Sequence, residues 1–196
     1  QHNVPMGLAE TASTLLEALV EEAALKKAPA EEKIHLLDKR LGRAIAFLID
    51  VPARYELELA MHQKRAEGPL HEELLRGMTK EVFESSFGDG VASVDDLFWA
   101  SKLHFYLAYL PFYNFPYTFG YLFSRAVYDR ARERGPEFIP VIDDLLRDTG
   151  RLSSEEIGRK YLDADLESPD FWARAAESLK DDVAEYRRLV NAATRV

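Results

Sequence analysis

Apolar residues recur at intervals of three and four along most of this 196-residue chain, and no stretch keeps up an alternation of apolar and polar positions. Spacing of three and four places side chains on one face of an α-helix, whereas strict alternation is typical of a half-buried β-strand. Glycine and proline, the strongest breakers of regular structure, are sparse outside a few junctions. The sequence therefore predicts an all-α protein.

The breakers divide the chain into a series of predicted helices. Pro52 predicts a kink or a restart, because proline lacks an amide donor and crowds the preceding turn. Ser153 with Glu156 is a capping-box pattern, and Ser168-Pro169 is typical of a helix start. The predicted helices cover residues 6–27, 30–50, 53–67, 70–87, 94–110, 117–134, 137–148, 153–161 and 169–193.

Composition excludes several classes of protein. The chain has no cysteine, so disulfide scaffolds, thiolate metal sites and cysteine nucleophiles are excluded, and a reducing, cytoplasmic location is predicted. A formal charge of −9 argues against binding to nucleic acid or to an anionic membrane, since both need a basic surface. No repeat or long linker divides residues 1–196, which predicts one helical domain or part of one.

Residues 98–123, here called the aromatic segment, contain 12 of the 22 aromatic residues. Residues 103–124 carry no formal charge, which leaves a membrane span as one interpretation. A packed pair of core helices joined by an aromatic loop is another, because aromatic rings dominate protein cores. Tyr113, Tyr117 and Tyr121 are spaced at fours and would point the same way on a helix, which favours a third interpretation, the wall of a polar cleft.

The first predicted helix has two different faces. Its apolar arc contains Leu8, Ala12, Leu15, Leu16 and Leu19. The opposite stripe contains Glu10, Thr14, Glu17 and Glu21. Such a stripe is typical of a solvated face, and the alternative is a set of carboxylates directed at a metal or another cation in a cleft. Periodicity does not choose between these interpretations.

Common metal and catalytic motifs are absent from the sequence. No two of the five histidines have the i, i+4 spacing with which one helical face holds zinc. The stretch beginning His71-Glu72 resembles the start of a metalloprotease motif, but Leu75 stands where the second histidine is needed. We expect His71 to be an exposed residue without a metal.

Two stretches resemble the oligoendopeptidase F branch of the thimet oligopeptidase family of zinc peptidases. The first, residues 9–17, reads AETASTLLE and resembles the helix that follows the zinc-binding motif. The second, residues 104–124, contains HFY and PFYNFPYTFGYLFS and resembles the substrate-site signature. The likeness continues through Gly135-Pro136 and Asp170-Phe171-Trp172, so it covers most of the chain. It implies a helical zincin-type catalytic domain that encloses short peptides in a channel.

The resemblance also implies roles for individual residues. Glu10 matches the third zinc ligand, and Glu17 matches a carboxylate that orients a ligand histidine. Tyr121 and His104 match the hydrogen-bond donors near the scissile carbonyl, where they would stabilise the developing oxyanion.

The remaining matches lie in the same signature. Tyr113 and Tyr117 match tyrosines of the substrate wall, and either of them could serve peptide backbone binding instead. Gly120 is expected to let another part of the chain, or the substrate, come close.

The sequence departs from the family in one respect. The family's His-Glu-x-x-His segment, which supplies two zinc ligands and the general base, lies upstream of this region, and only nine residues precede Glu10 here. We therefore expect the C-terminal part of a larger endopeptidase, inactive alone and unable to hold zinc tightly through one carboxylate.

A chain of this kind should expose a surface that its missing part covers. We expect copies of the chain to associate through that surface, so a monomer in light scattering would contradict this expectation. The alternative function is a non-catalytic helical module that binds peptides or serves as an interaction domain.

Overall fold

The structure, a computed structural model, describes residues 4–194. Within this range the chain contains helices and no β-strand, which confirms the all-α prediction. Gln1, His2 and Asn3 lie outside the described residues. The α-helices are α1 (Thr11–Lys27), α2 (Ala30–Ile45), α3 (Val51–Arg65), α4 (Glu72–Phe87), α5 (Phe98–Ser101), α6 (Phe115–Arg134), α7 (Ile139–Asp148), α8 (Ser154–Ile157), α9 (Pro169–Glu177) and α10 (Leu179–Ala193).

The prediction of one helix over residues 94–110 is wrong. The structure has only the single-turn α5 and a 3₁₀ turn at Leu103–Tyr106, separated by an extended Lys102. The rings of this stretch pack one by one: Phe98 lies 4.8 Å from Phe83, between ring centroids, and 6.4 Å from Phe105. Packing of individual rings thus overrides the helical spacing, as tertiary context often does.

Two other helix boundaries differ from the prediction. A π turn at Ala46–Asp50 directly precedes α3, and Pro52 lies in the first turn of that helix, where its missing N–H is tolerated. The helix predicted over residues 169–193 is interrupted at Ser178. The Ser178 hydroxyl donates to the Ala175 carbonyl at 2.8 Å, a local bond that competes with the helical ladder.

The chain divides into two compact units. The first contains the described residues up to Arg43 and those from Phe119 onward, and the second is Ala44–Thr118. The core of the first unit brings α1, α6, α7, α8 and α9 together. It includes the buried side chains of Leu15, Phe123, Phe138, Leu145 and Ile157.

The second unit is built on the packing of α3 against α4. Ala53, Leu57, Met78 and Phe83 form its buried core, and rings of the aromatic segment pack against it. These rings are therefore packing partners of α3 and α4, whereas the first helix of the predicted pair, over residues 94–110, is not formed. No helix within residues 4–194 is both long and apolar enough to cross a membrane.

Helix α1 does not bury its apolar arc as a whole. Leu15 is buried, but Leu16 is 59% exposed and Leu19 is 37% exposed. Thr14, from the opposite polar stripe, is buried instead. A wholly solvated stripe, one of the two interpretations left open above, is therefore wrong for Thr14, whose hydroxyl lies 3.3 Å from the Gly120 carbonyl oxygen, whereas Glu17 is exposed.

Candidate functional site

Glu10 and Gly120, which the resemblance assigns to one site, are in contact within the first unit. A Cβ atom placed on Gly120 would lie 2.9 Å from Cβ of Glu10. Thr14, one turn further along, donates from its hydroxyl to the Glu10 carbonyl oxygen at 2.7 Å and lies 3.3 Å from the Gly120 carbonyl oxygen. The chain itself therefore makes the close approach that was expected at this glycine.

Gly120→Ala is expected to destabilise the fold, although alanine favours a helix. Overpacking against Glu10 costs about 1–3 kcal/mol, and the gain in helix propensity returns at most about 1 kcal/mol. Gly42→Ala is the matched control, because Gly42 also lies inside a helix of this unit and an added Cβ meets nothing within 4 Å. The control should stabilise by about 0.5–1 kcal/mol. Urea unfolding should show a lower free energy of unfolding for Gly120→Ala and a higher one for Gly42→Ala. A change in the same direction in both variants would contradict the close contact between Gly120 and Glu10.

Glu17 and Tyr121 line a common crevice in the first unit. The crevice also has Thr14, Arg43 and Arg125 in its walls, and its volume of about 10 Å³ is that of a single water. Glu17 accepts a hydrogen bond from Nη1 of Arg43 at 2.7 Å. Glu17, which was expected to orient a histidine, thus binds an arginine in this structure. A carboxylate has further acceptor positions, so Glu17 is able to accept a second hydrogen bond.

Tyr121 is buried, with 6% of its side chain exposed. Burial raises the pKa of Tyr121, and the positive charge of Arg125 opposes this shift without reversing it. The phenol therefore stays protonated well above neutral pH and remains a hydrogen-bond donor. Access of a substrate carbonyl to this hydroxyl requires the crevice to widen.

His104, Tyr113 and Tyr117 form a ring cluster in the second unit. The rings of His104 and Tyr113 are stacked with centroids 6.2 Å apart, and the Tyr117 ring stands edge-on to both, at 6.3 and 5.8 Å. Nδ1 of His104 is buried, with no hydrogen-bond partner in the part of the chain that the structure describes. These three predicted residues are thus brought together.

Glu58 anchors the aromatic segment, and the sequence analysis missed it. This buried carboxylate accepts from the backbone N–H of Phe112 at 2.7 Å and from Nδ2 of Asn114 at 3.1 Å. The sequence offers no clear signal, because Glu58 shares its face of α3 with Arg54 and His62 as well as with Val51. A buried carboxylate needs hydrogen-bond partners, and the aromatic segment supplies them.

The polar stripe of α1 binds an arginine cluster that the sequence analysis also missed. Arg43 donates to Glu17 and Glu21, and Arg40 lies 3.5 Å from Glu21 and 3.4 Å from Glu22. Burial disfavours the charged form of Arg40, but the surrounding carboxylates outweigh this effect and raise the pKa of Arg40. The cations that face Glu17 and Glu21 of the stripe are therefore two guanidinium groups. Arg40 and Arg43 are three positions apart and so lie on one face of α2, which is the sequence signal for a basic face opposite the stripe.

The described residues do not form a metal site by themselves. Within residues 4–194, no three His, Asp or Glu side chains meet in an arrangement that could hold a metal ion. Glu10 is a suitable oxygen ligand, half-buried, with one carboxylate oxygen 3.2 Å from the Ser13 hydroxyl. A zinc ion needs at least three protein ligands, so one carboxylate is insufficient.

His71 is exposed, as predicted for a residue outside a metal site. Its Nδ1 accepts from the Leu74 N–H at 3.4 Å and caps the start of α4.

Comparisons of the chain with protein-family models, with curated proteins and with solved structures give no match.

Proposed function

We propose that this chain is the C-terminal part of a zincin-type catalytic domain, from a zinc-dependent oligoendopeptidase that hydrolyses internal bonds of short peptides. The observation that carries this function is the contact between Glu10 and Gly120. The two residues lie in stretches far apart in sequence, and both stretches resemble parts of the same peptidase site. Their contact supports the assignment of both stretches to one site.

Glu10 is proposed as one zinc ligand, with two histidines and the general-base glutamate coming from a segment that this sequence does not contain. Zinc in such a site activates a water molecule for attack on the peptide carbonyl. Glu17 is proposed to orient a ligand histidine, which fixes the tautomer of the imidazole. This role requires Glu17 to accept from the histidine in addition to, or in place of, Arg43.

Tyr121 and His104 are proposed as hydrogen-bond donors to the substrate carbonyl. A neutral phenol donates without carrying charge, and the raised pKa of Tyr121 keeps it in that form. Tyr113 and Tyr117 are proposed to bind the peptide backbone, since their rings and hydroxyls belong to the ring cluster that includes His104.

The coding sequence upstream of Gln1 provides the first test. The proposed function requires a His-Glu-x-x-His segment there, in the same reading frame. A natural translation start close to Gln1, with no such segment, would overturn the proposal and favour the binding module.

Tyr121→Phe should be made in the full-length enzyme, which carries the His-Glu-x-x-His segment together with the present chain. There it should lower kcat by about 100-fold or more while KM changes little. The reason is that the donor acts on charge that develops only in the transition state. Tyr128→Phe is the control, because Tyr128 is another buried tyrosine of α6 and has no proposed role. A rise in KM with unchanged kcat would assign Tyr121 to substrate binding alone.

A non-catalytic peptide-binding module is the second candidate. The exposed side chains of the aromatic segment favour it, because Tyr109 is 82% exposed and Tyr106 is 53% exposed. Such rings bind peptides without any catalytic group. Retention of an intact peptide by the natural full-length protein, with no cleavage in the presence of zinc, would support this second function over the first.

A further inference from the structure

A cavity of about 490 Å³ lies within the second unit, between α3, the start of α4 and the aromatic segment. This volume is in the range of sites that bind small molecules. Its walls are largely apolar. The apolar wall residues include Met61, Leu70, Leu75, Trp99 and Phe105. We call it the Trp99 cavity.

The exposed charged group of the Trp99 cavity, the Arg65 guanidinium, favours an anionic ligand. Glu58 is the acidic wall residue, but it is buried and accepts hydrogen bonds from Phe112 and Asn114. Arg65 is exposed and forms only a long hydrogen bond, 3.4 Å, to the Gly68 carbonyl oxygen. No carboxylate within residues 4–194 lies within 4.0 Å of this guanidinium, whose donor fork fits a carboxylate ligand.

Other side chains of the same wall suit such a ligand. The ring of Trp99 lines the cavity, while its indole Nε1 is buried and has no hydrogen-bond partner among residues 4–194. His62, exposed in the same wall with its ring against Phe112, adds a further side chain able to donate.

We propose that the Trp99 cavity binds an apolar group that carries one carboxylate. The apolar part contacts Trp99 and Phe105, and the carboxylate binds Arg65. This chemistry occurs at the C-terminal residue of a peptide with an apolar side chain, and also in a free aromatic acid. The binding does not depend on the proposed peptidase activity, so loss of one leaves the other intact.

Calorimetric titration of the chain tests this site with three probes. They are triglycyl-phenylalanine with a free carboxylate, the same peptide amidated at its C-terminus, and 3-phenylpropanoate. The free peptide should bind about 10-fold or more tightly than the amide, because a hydrogen bond to a charged group is lost in the amide. Equal binding of 3-phenylpropanoate would identify a free acid as the source, and much weaker binding would identify a peptide end.

Arg65→Gln should reduce the affinity for the free carboxylate to that for the amide. Arg187→Gln is the matched control, since Arg187 is also an exposed helical arginine, lies in α10 and does not line the cavity. Equal affinities of the acid and the amide, an unchanged affinity in Arg65→Gln, or no binding at millimolar probe would each overturn the proposal.

Tryptophan fluorescence locates the bound probe. The chain has two tryptophans, so Trp172→Phe leaves Trp99 as the single reporter. The peptide acid should change this emission along the same titration curve as the heat signal. Heat of binding without any change at Trp99 would place the ligand elsewhere and overturn the assignment.

Discussion

Asp182→Ala is expected to destabilise the folded chain by about 3–5 kcal/mol, because it removes one partner from a buried set of ion pairs. Asp182 lies in the first turn of α10, with Oδ1 3.0 Å from Nη1 of Arg40 and Oδ2 3.6 Å from Nη1 of Arg125. Both arginine side chains are only 8% exposed. Without Asp182 the two guanidinium groups stay buried with less opposite charge, and water cannot replace it fully.

The remaining partners do not compensate equally for this loss. Arg40 still has Glu21 and Glu22 within 3.5 Å. Arg125 retains the Ser178 hydroxyl, which accepts from Nη2 at 2.7 Å but carries no charge. The larger part of the cost should therefore come from Arg125.

Asp181→Ala is the matched control for this prediction. Asp181 is the neighbouring residue in the same first turn of α10, so both changes remove a carboxylate that favours a helix N-terminus. Asp181 is exposed, so Asp181→Ala should lower the free energy of unfolding by no more than about 0.5 kcal/mol. Urea unfolding followed by far-UV circular dichroism compares the two variants, and equal midpoints would contradict the role of Asp182.

A double variant separates the charge pair from other effects. Asp182→Ala combined with Arg40→Met removes both members of the shorter pair. Its destabilisation should be smaller than the sum of the two single changes, since the loss of the Asp182–Arg40 pair is then counted once and not twice. A strictly additive result would show that Asp182 and Arg40 do not interact in the folded chain.

Helical spacing and breakers were sufficient to predict the all-α class and most helix ends, because these depend on local backbone geometry. The capping box at Ser153 is present as predicted, with its hydroxyl accepting from the Glu156 N–H at 3.2 Å. Residues 94–110 show the limit of this approach. There the spacing is helical, but each ring packs on a different partner, and only the tertiary structure reveals those partners.

The orientation of α1 was not predictable from its own sequence. The sequence shows an apolar arc and an acidic stripe, and burial of the apolar arc is the ordinary outcome. In the structure Arg40 and Arg43 of α2 bind Glu17 and Glu21 of the stripe, Thr14 is buried against Gly120, and Leu16 is exposed. Ion pairs between helices depend on three-dimensional packing, which periodicity within one helix does not contain.

Spacing does not indicate which residues of the candidate site come together, and the roles that the resemblance implies stay predictions. The stretches around Glu10 and Gly120 share no spacing rule, yet Thr14 and Gly120, 106 positions apart, are in contact. Glu58 was missed because its role is to hold the aromatic segment in place. A residue that acts through backbone N–H groups leaves no motif in the sequence.

Glu58→Ala is expected to destabilise the second unit by about 3 kcal/mol. The change leaves two donors without their acceptor, the half-buried Phe112 N–H and the buried Nδ2 of Asn114, and a fully buried donor without an acceptor costs about 1–3 kcal/mol. Phe112 is also held at φ 59°, a left-handed conformation that costs a non-glycine residue about 1–2 kcal/mol. Once the bond to Glu58 is lost, this turn should relax toward ordinary backbone angles.

Two measurements distinguish loss of this anchor from a general loss of stability. Glu56→Ala is the control, because Glu56 is an exposed carboxylate of the same helix, and it should shift the urea midpoint little. Native-state hydrogen exchange should show faster exchange at the Phe112 amide in Glu58→Ala than in Glu56→Ala, since the acceptor of that N–H is gone. If the two variants exchange equally at Phe112, Glu58 does not hold the aromatic segment, and the ring cluster that follows this turn must depend on its own ring contacts.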